Sequence, residues 1–423
     1  MTLRHLNPLT LLAPALAFIA VALVLGAMNA APEPEAARSA QAPGSEARVD
    51  TARGYAYIQR ARETGDPGGN LIAGAERAFD AALRRSPGDA DAATGKGLVA
   101  LTGHDFRAGL EWGLRARRAG PDLVRPYAVL IDAQIELGRY EAAGRSLQRM
   151  IDLKPNLASY SRASYYRELH GDHAGALRAM ALAVSAGGDA PEQVAYVQTL
   201  LGDLHLAHAE LPAATDAYRL ALSRLPEYVD ARFGLARTQV QAGALKPARR
   251  SLLAVVRDRP DADHLVLLGE VELALGRTAD GRRHIEAARA KEAALLRRGA
   301  NPDAGLVNTE ATHGDPANAV RLGRRVWRAA PSVTSADALG WALTRAGRPE
   351  QGLAFATKAM RIGSRYAGFE YHAGIAALAT GRRVLAREHL ARALRINPAF
   401  SPLEAPRARR LLSRLSGTPA GRA

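Results

Sequence analysis

Few residues in this chain are spaced for chemistry. His205 and His208 lie three apart with Asp203 nearby, a spacing that can present two imidazoles to a metal from one helix face. No further ligand accompanies them, and a lone histidine pair is a weak motif. His170 and His173 flank Gly171 and read as exposed turn residues. Gly95-Lys96-Gly97 has the look of a phosphate loop but lacks its spacing, its Ser or Thr and a preceding strand. Neither an HExxH motif nor a nucleophile elbow occurs. There is no cysteine, which excludes disulfides, zinc–thiolate sites and thiol catalysis. The remaining carboxylates are interleaved with arginines at helical spacing, as on a solvated helix face. The chain therefore reads as a binding protein rather than an enzyme, with no catalytic residue, cofactor or metal expected.

The elements that would position a binding surface are helices. Ala, Leu and Arg dominate and are strong helix formers. No period-two clustering of β-branched or aromatic residues marks a strand. Punctuation is periodic. Pro87, Pro121 and Pro155 are 34 residues apart, as are Pro226 and Pro260, and Pro331 and Pro398 are separated by 67. Each follows an apolar helical stretch that proline would stop. Small residues keep the same beat at Ala75, Gly109, Ala143, Ala176, Ala214, Ala248, Gly281, Ala319, Gly352 and Ala386. Turn glycines precede many of them: Gly138, Gly171, Gly243, Gly276, Gly314, Gly347 and Gly381. One unit thus reads helix A, glycine turn, helix B, proline. From Val124 to Leu157, helix A carries Tyr127, Leu130 and Ile131, helix B carries Ala143, Leu147 and Met150, and Pro155 ends it.

These units resemble the tetratricopeptide repeat, whose pattern sets an apolar–Gly pair in helix A, Ala and a larger residue in helix B, and a closing Pro. Leu201-Gly202, Ala214, Tyr218, Ala221 and Pro226 follow it most closely. Leu235-Ala236, Ala248, Leu252 and Pro260 follow it too, as do Leu339-Gly340, Gly374, Ala386, Leu390, Ala393 and Pro398. The resemblance implies an all-α fold: a right-handed superhelical solenoid of antiparallel helix pairs, about ten repeats over 53–398, with a capping helix and basic tail in 399–423. It also implies that the A helices line a concave groove for a protein or peptide partner. By register the candidate groove residues are Asp132, Tyr165, Tyr196, Asp203, Phe233, Arg237, Trp341 and Tyr371. Aromatic side chains dominate binding hot spots. The family's clamp for a C-terminal carboxylate uses Lys and Asn at inward positions; Asp132 and Asp203 there favour a neutral or basic guest instead.

Ahead of the repeats, Leu9 to Ala27 is a 19-residue uncharged run behind Arg4 and His5. At 1.5 Å per residue it is just long enough for a hydrocarbon core of roughly 30 Å. Residues 1–30 are read as a signal peptide or a signal-anchor transmembrane helix, the length favouring the anchor. Residues 31–52 are read as a disordered linker rich in Ala, Pro, Glu and Ser. Either leader places the solenoid in the cell envelope, on the extracytoplasmic face. The net charge of +15 leaves a second use open, contact with anionic lipid or a cell-wall polymer. Nucleic acid is not expected, since no basic stripe is interleaved with aromatics.

Overall fold

The computed structural model describes residues 44–64, 70–188 and 190–417. The apolar run at 9–27 and most of the expected linker lie outside them. Among the described residues no helix is long and apolar enough to cross a membrane.

Twenty-one helices and no strand occur among the described residues. They form ten antiparallel pairs and a final single helix. Pair 1 is Ser45–Thr64 and Asn70–Arg85, so helix already starts within the stretch read as linker. Pair 2 is Ala90–Thr102 and Phe106–Ala119; pair 3, Arg125–Glu136 and Tyr140–Leu153; pair 4, Leu157–Leu169 and His173–Ala186. Pair 5 is Pro191–Ala207 and Leu211–Arg224; pair 6, Val229–Gln241 and Leu245–Asp258; pair 7, Ala262–Ala274 and Thr278–Arg297. Pair 8 is Ala304–His313 and Pro316–Ala329; pair 9, Val333–Arg345 and Pro349–Ala359; pair 10, Ala367–Ala379 and Arg383–Ile396. Glu404–Leu415 covers the last pair, with Ala408, Leu411 and Leu415 joining its core.

The two helices of a pair differ in burial. In pair 3, helix A buries every residue from Pro126 to Ile135. Helix B buries only Tyr140, Ala143, Ser146, Leu147 and Met150, the stripe of an amphipathic helix on a core. The repeating small residues explain the close packing. The Tyr218 ring lies between Gly202 of its own pair and Gly234 of the next, where an added Cβ would sit 2.5 and 2.3 Å from the ring. Phe79 is held in the same way by Gly54 and Gly95. A B-helix aromatic therefore locks two successive A helices together, and only glycine leaves it room.

The coil is wound tightly enough to stack on itself. The turn inside pair 3 meets the connector between pairs 8 and 9: Tyr140 Oη accepts from the Val333 backbone N–H at 2.8 Å. The turn of pair 4 meets the connector between pairs 9 and 10, where Ser364 Oγ donates to the Leu169 carbonyl at 2.7 Å. The turn of pair 5 meets the end of pair 10, where Asn397 Nδ2 donates to the Leu206 carbonyl at 3.0 Å. At pair 2, Arg107 reaches the carbonyls of Arg328 and Ala329, and Asn301 reaches that of Gly103. One hydrophobic core accordingly contains Tyr140, Tyr165 and Leu169 together with Val333, Ala336, Tyr366 and Phe369.

Gly138 and Gly171 sit at the stacked turns with φ of 66° and 75°. A Cβ on them would stand 2.4 Å from the Pro331 and Gly363 carbonyl oxygens. Gly276 has φ of 77° but no atom within 4 Å of its Cβ position. Gly276→Ala is expected to cost roughly 1–2 kcal/mol from the left-handed backbone alone. Gly171→Ala is expected to cost about 1–3 kcal/mol more, through the clash with the second turn. Denaturant melts of the two variants measure the difference, and equal losses would show that the turns do not press on each other.

Candidate functional site

The eight residues expected to line the groove sit on A helices, where the repeat register places them. None of them is exposed. Asp132 is held by two hydrogen bonds from Arg162, Nε to Oδ1 at 2.9 Å and Nη2 to Oδ2 at 2.7 Å, with Arg162 fully buried. Asp203 accepts from Arg237 Nη1 and Tyr218 Oη, both at 2.7 Å. Trp341 is buried, donates Nε1–H to Thr312 Oγ1 at 2.9 Å and stacks on His372 with ring centroids 4.4 Å apart. Tyr371 packs toward Phe400, and Phe233 lies against His264 under the Arg237 guanidinium. Tyr196 packs with Leu157, Met180 and Leu200, while Tyr165 joins the core shared by both turns.

The carboxylates form a ladder. Asp132 of pair 3 binds Arg162 of pair 4, and Asp203 of pair 5 binds Arg237 of pair 6. Glu270 of pair 7 lies 2.8 Å from His313 Nε2 of pair 8, and Asp337 of pair 9 lies 2.9 Å from His372 Nδ1 of pair 10. Each acid on one A helix faces a base on the next. A sign of this was present in the sequence, because Asp203 and Arg237 are one repeat apart. An open groove would offer these acids to a guest, yet each has its counter-group within the chain. Arg162, Glu270, His313 and His372 are the members that sequence reasoning missed.

Elsewhere the motifs are structural. Lys96 of the Gly95-Lys96-Gly97 segment is mid-helix and pairs with Glu76 and Asp80 at 2.9 and 2.8 Å. His205 Nδ1 lies 2.5 Å from Glu210, whose other oxygen faces His173 Nε2 at 3.1 Å. His208 stacks on His173 at 3.6 Å, and the His170 ring lies tilted against Tyr166 at 4.3 Å. His170 and His173 are thus half-buried and engaged, not the exposed turn residues expected, because the turn of pair 4 is covered by the second turn of the coil. Among the described residues no three His, Asp or Glu are grouped to hold a metal ion.

Several buried polar atoms on the inner side have no partner: Tyr165 Oη, Glu168 Oε1, Asp203 Oδ2, Glu270 Oε2 and Tyr366 Oη. Burial pushes the Glu168 carboxyl up to about 8, with Asp203 adding to it, and pushes Glu136 up to about 7.

A family model for the tetratricopeptide repeat matches residues 69–123. Antiparallel helix pairs like those of that segment recur through pair 10. The chain folds as a tetratricopeptide-type helical solenoid. Among solved structures, the human IFIT1 dimer with PPP-AAAA is 16% identical over 75% of this chain and 73% of its own, with a TM-score of 0.50. A tetratricopeptide-repeat protein of Thermus thermophilus is 21% identical, covers 46% of this chain and 99% of its own, and has a TM-score of 0.40. One from Parabacteroides merdae is 15% identical over 58% of this chain and 93% of its own, with a TM-score of 0.43. At these identities the likeness concerns the fold alone. No curated protein sequence matches the chain.

Removing one member of a buried pair leaves the other charge uncompensated. Arg162→Met is therefore expected to cost about 3–5 kcal/mol in denaturant unfolding, and adding Asp132→Leu is expected to restore part of it. Stability should also depend on pH from both sides. Glu168 holds its proton to about 8 in the folded chain against 4.5 as the reference, so the folded form carries the extra proton between those values and stability falls as pH rises through them. His208 is pushed down to about 4 by burial from a reference of 6.5, so its contribution is lost as pH falls below 6.5. A melting-temperature profile should peak between these limits, and Glu168→Gln should flatten its alkaline side.

Proposed function

We propose that this chain is a non-catalytic scaffold that takes a segment of a partner protein against its inner wall, on the extracytoplasmic side of a membrane. Tetratricopeptide repeats serve protein–protein association in general, and the observation that carries the reading here is a set of A-helix oxygens that the chain does not satisfy. Tyr165 Oη, Glu168 Oε1, Asp203 Oδ2 and Glu270 Oε2 all lie on A helices without a hydrogen-bond partner inside the chain. Buried polar groups are ordinarily satisfied, and donors from a guest segment would satisfy these. The uncharged run at 9–27 supports the location.

A second reading has an observation of its own. Between helix Arg383–Ile396 and the capping helix lies a shallow groove of about 430 Å³ lined by Arg387, Glu388, Arg395, Leu412 and Arg392, the last paired with Glu370. Arg409, Arg410 and Arg414 are exposed on the same capping helix. That surface suits anionic lipid or a cell-wall polymer, and such binding would vanish in high salt.

Both readings are tested on the full chain in its native membrane, with a photo-crosslinking residue at position 263, half-buried on helix A of pair 7, or at the exposed Val384 on helix B of pair 10. A discrete protein adduct from position 263 and none from 384 is expected. Adducts from 384 alone would refute the inner-wall reading. A reporter that is active only outside the cytoplasm, fused after Gly417, is expected to be active.

A further inference from the structure

The last pair and its capping helix concentrate charge of one sign. Between residues 382 and 417 stand nine arginines and two glutamates, with no lysine or aspartate. One of the two acids, Glu404, is fully buried. In pair 7 the helix B arginines are matched: Arg283 pairs with Asp280 at 2.5 Å and Arg289 with Glu286 at 2.7 Å. At the C-terminal end most are not. Arg392 is taken by Glu370 at 3.0 Å, and Arg409 donates to the Pro398 carbonyl at 2.5 Å. Arg383, Arg387, Arg395, Arg410 and Arg414 are exposed and have no side-chain partner among the described residues.

The groove gathers these charges. Arg383, Arg387, Ala391 and Arg395 recur at four-residue spacing and so form one stripe along helix Arg383–Ile396. Arg387, Ala391 and Arg395 of that stripe line the groove of about 430 Å³ with Leu412 and Ser416 opposite, and Glu388 is the single acid of the lining. Like charges four residues apart on a helix repel, and Arg383 with Arg387, then Arg410 with Arg414 on the capping helix, are both such pairs. Three residues before Arg387, Val384 is 64% exposed, with arginines at 382, 383 and 387 around it in sequence. A guanidinium is a planar fork that matches two oxygens of a phosphate. An exposed apolar side chain among arginines suits the level at which headgroups meet acyl chains. A soluble polyanion would engage the arginines but offers nothing to Val384, Ala391 and Leu412. A phospholipid surface engages both sets.

We propose that the groove between helix B of pair 10 and the capping helix seats the phosphate of an anionic phospholipid headgroup, with Arg387 and Arg395 as its ligands and Val384 at the acyl boundary. The inference rests on the second of the two readings above, contact with an anionic surface, and names the lipid as that surface; the inner-wall reading is independent of it. Such contact sets the C-terminal end of the coil against the bilayer. Each arginine near an anionic membrane is worth about fivefold in partition, and the attraction is screened by salt.

The chain has no cysteine, so Val384→Cys provides one labelling position for a polarity-sensitive dye. The labelled full chain is mixed with vesicles of phosphatidylcholine alone, or of phosphatidylcholine and phosphatidylglycerol in equal parts. The uncharged run at 9–27 would enter both kinds alike, so the local dye and not bulk binding is the readout. Its emission is expected to shift to the blue only with the anionic vesicles. The same dye at Leu182→Cys, exposed on helix B of pair 4, is expected to shift with neither. In the Arg387→Gln, Arg395→Gln double variant the lipid concentration at half-shift is expected to rise about tenfold or more, and about 0.5 M salt is expected to act likewise. Both arginines are exposed, so the double variant is expected to melt with the wild type, which shows that it is folded. A shift with phosphatidylcholine alone, no shift with either lipid, or a shift indifferent to the double variant overturns the proposal. If the vesicles leave the dye unmoved while a soluble polyphosphate chain binds and loses affinity in the double variant, the anionic-surface reading stands with a polymer as its guest and the lipid falls.

Discussion

The inner wall of this solenoid is governed by the contact between successive turns of its coil. A helix pair cannot bury its own apolar face, so each leans on the next, and a small fixed rotation per pair turns the stack into a coil. Here the rotation brings the turn of pair 3 under the connector that follows pair 8, and the register repeats for pairs 4 and 5. Backbone meets backbone at Gly138 and Gly171. Once the turns touch, the A helices face protein on both sides, which explains why helix 125–136 is buried almost all round while its partner helix keeps a polar face.

That enclosure changes the chemistry of the inward residues. An acid in an open groove is hydrated and available. An acid shut between helices must be neutralised, by a base or by a proton. The chain does both. Asp132 and Asp203 have arginines on the following A helix, and Asp337 faces His372. Glu136, Glu168, Asp263 and Glu292 have no such cation and hold their protons into the neutral range. The first set fixes one pair against the next.

Much of the architecture was legible before any coordinates. Pro121, Pro155, Pro226 and Pro260 end helices where the spacing placed them, and Gly138, Gly171, Gly243 and Gly276 take the left-handed conformation that a reversal between helices needs. Gly202 packs against a helix B side chain as the small-residue pattern required, with Tyr218 as that side chain. The candidate site was legible only as a set of A-helix positions. Asp132 and Trp341 were placed on the correct helices, but a periodic pattern cannot say whether an inward residue meets a guest, a neighbouring repeat or another turn of the coil.

The sequence by itself determined the repeat, its length, the sites of its turns and the helices that face inward, because these follow from backbone constraints at proline and glycine and from apolar periodicity, which act within one or two units. Only the tertiary structure decided that the coil stacks on itself and that the expected anchors are buried between helices. Those outcomes depend on the rotation between successive pairs accumulated over five or six of them. A small local angle, summed along the stack, fixes which distant residues meet, and no single repeat carries that sum in its own residues.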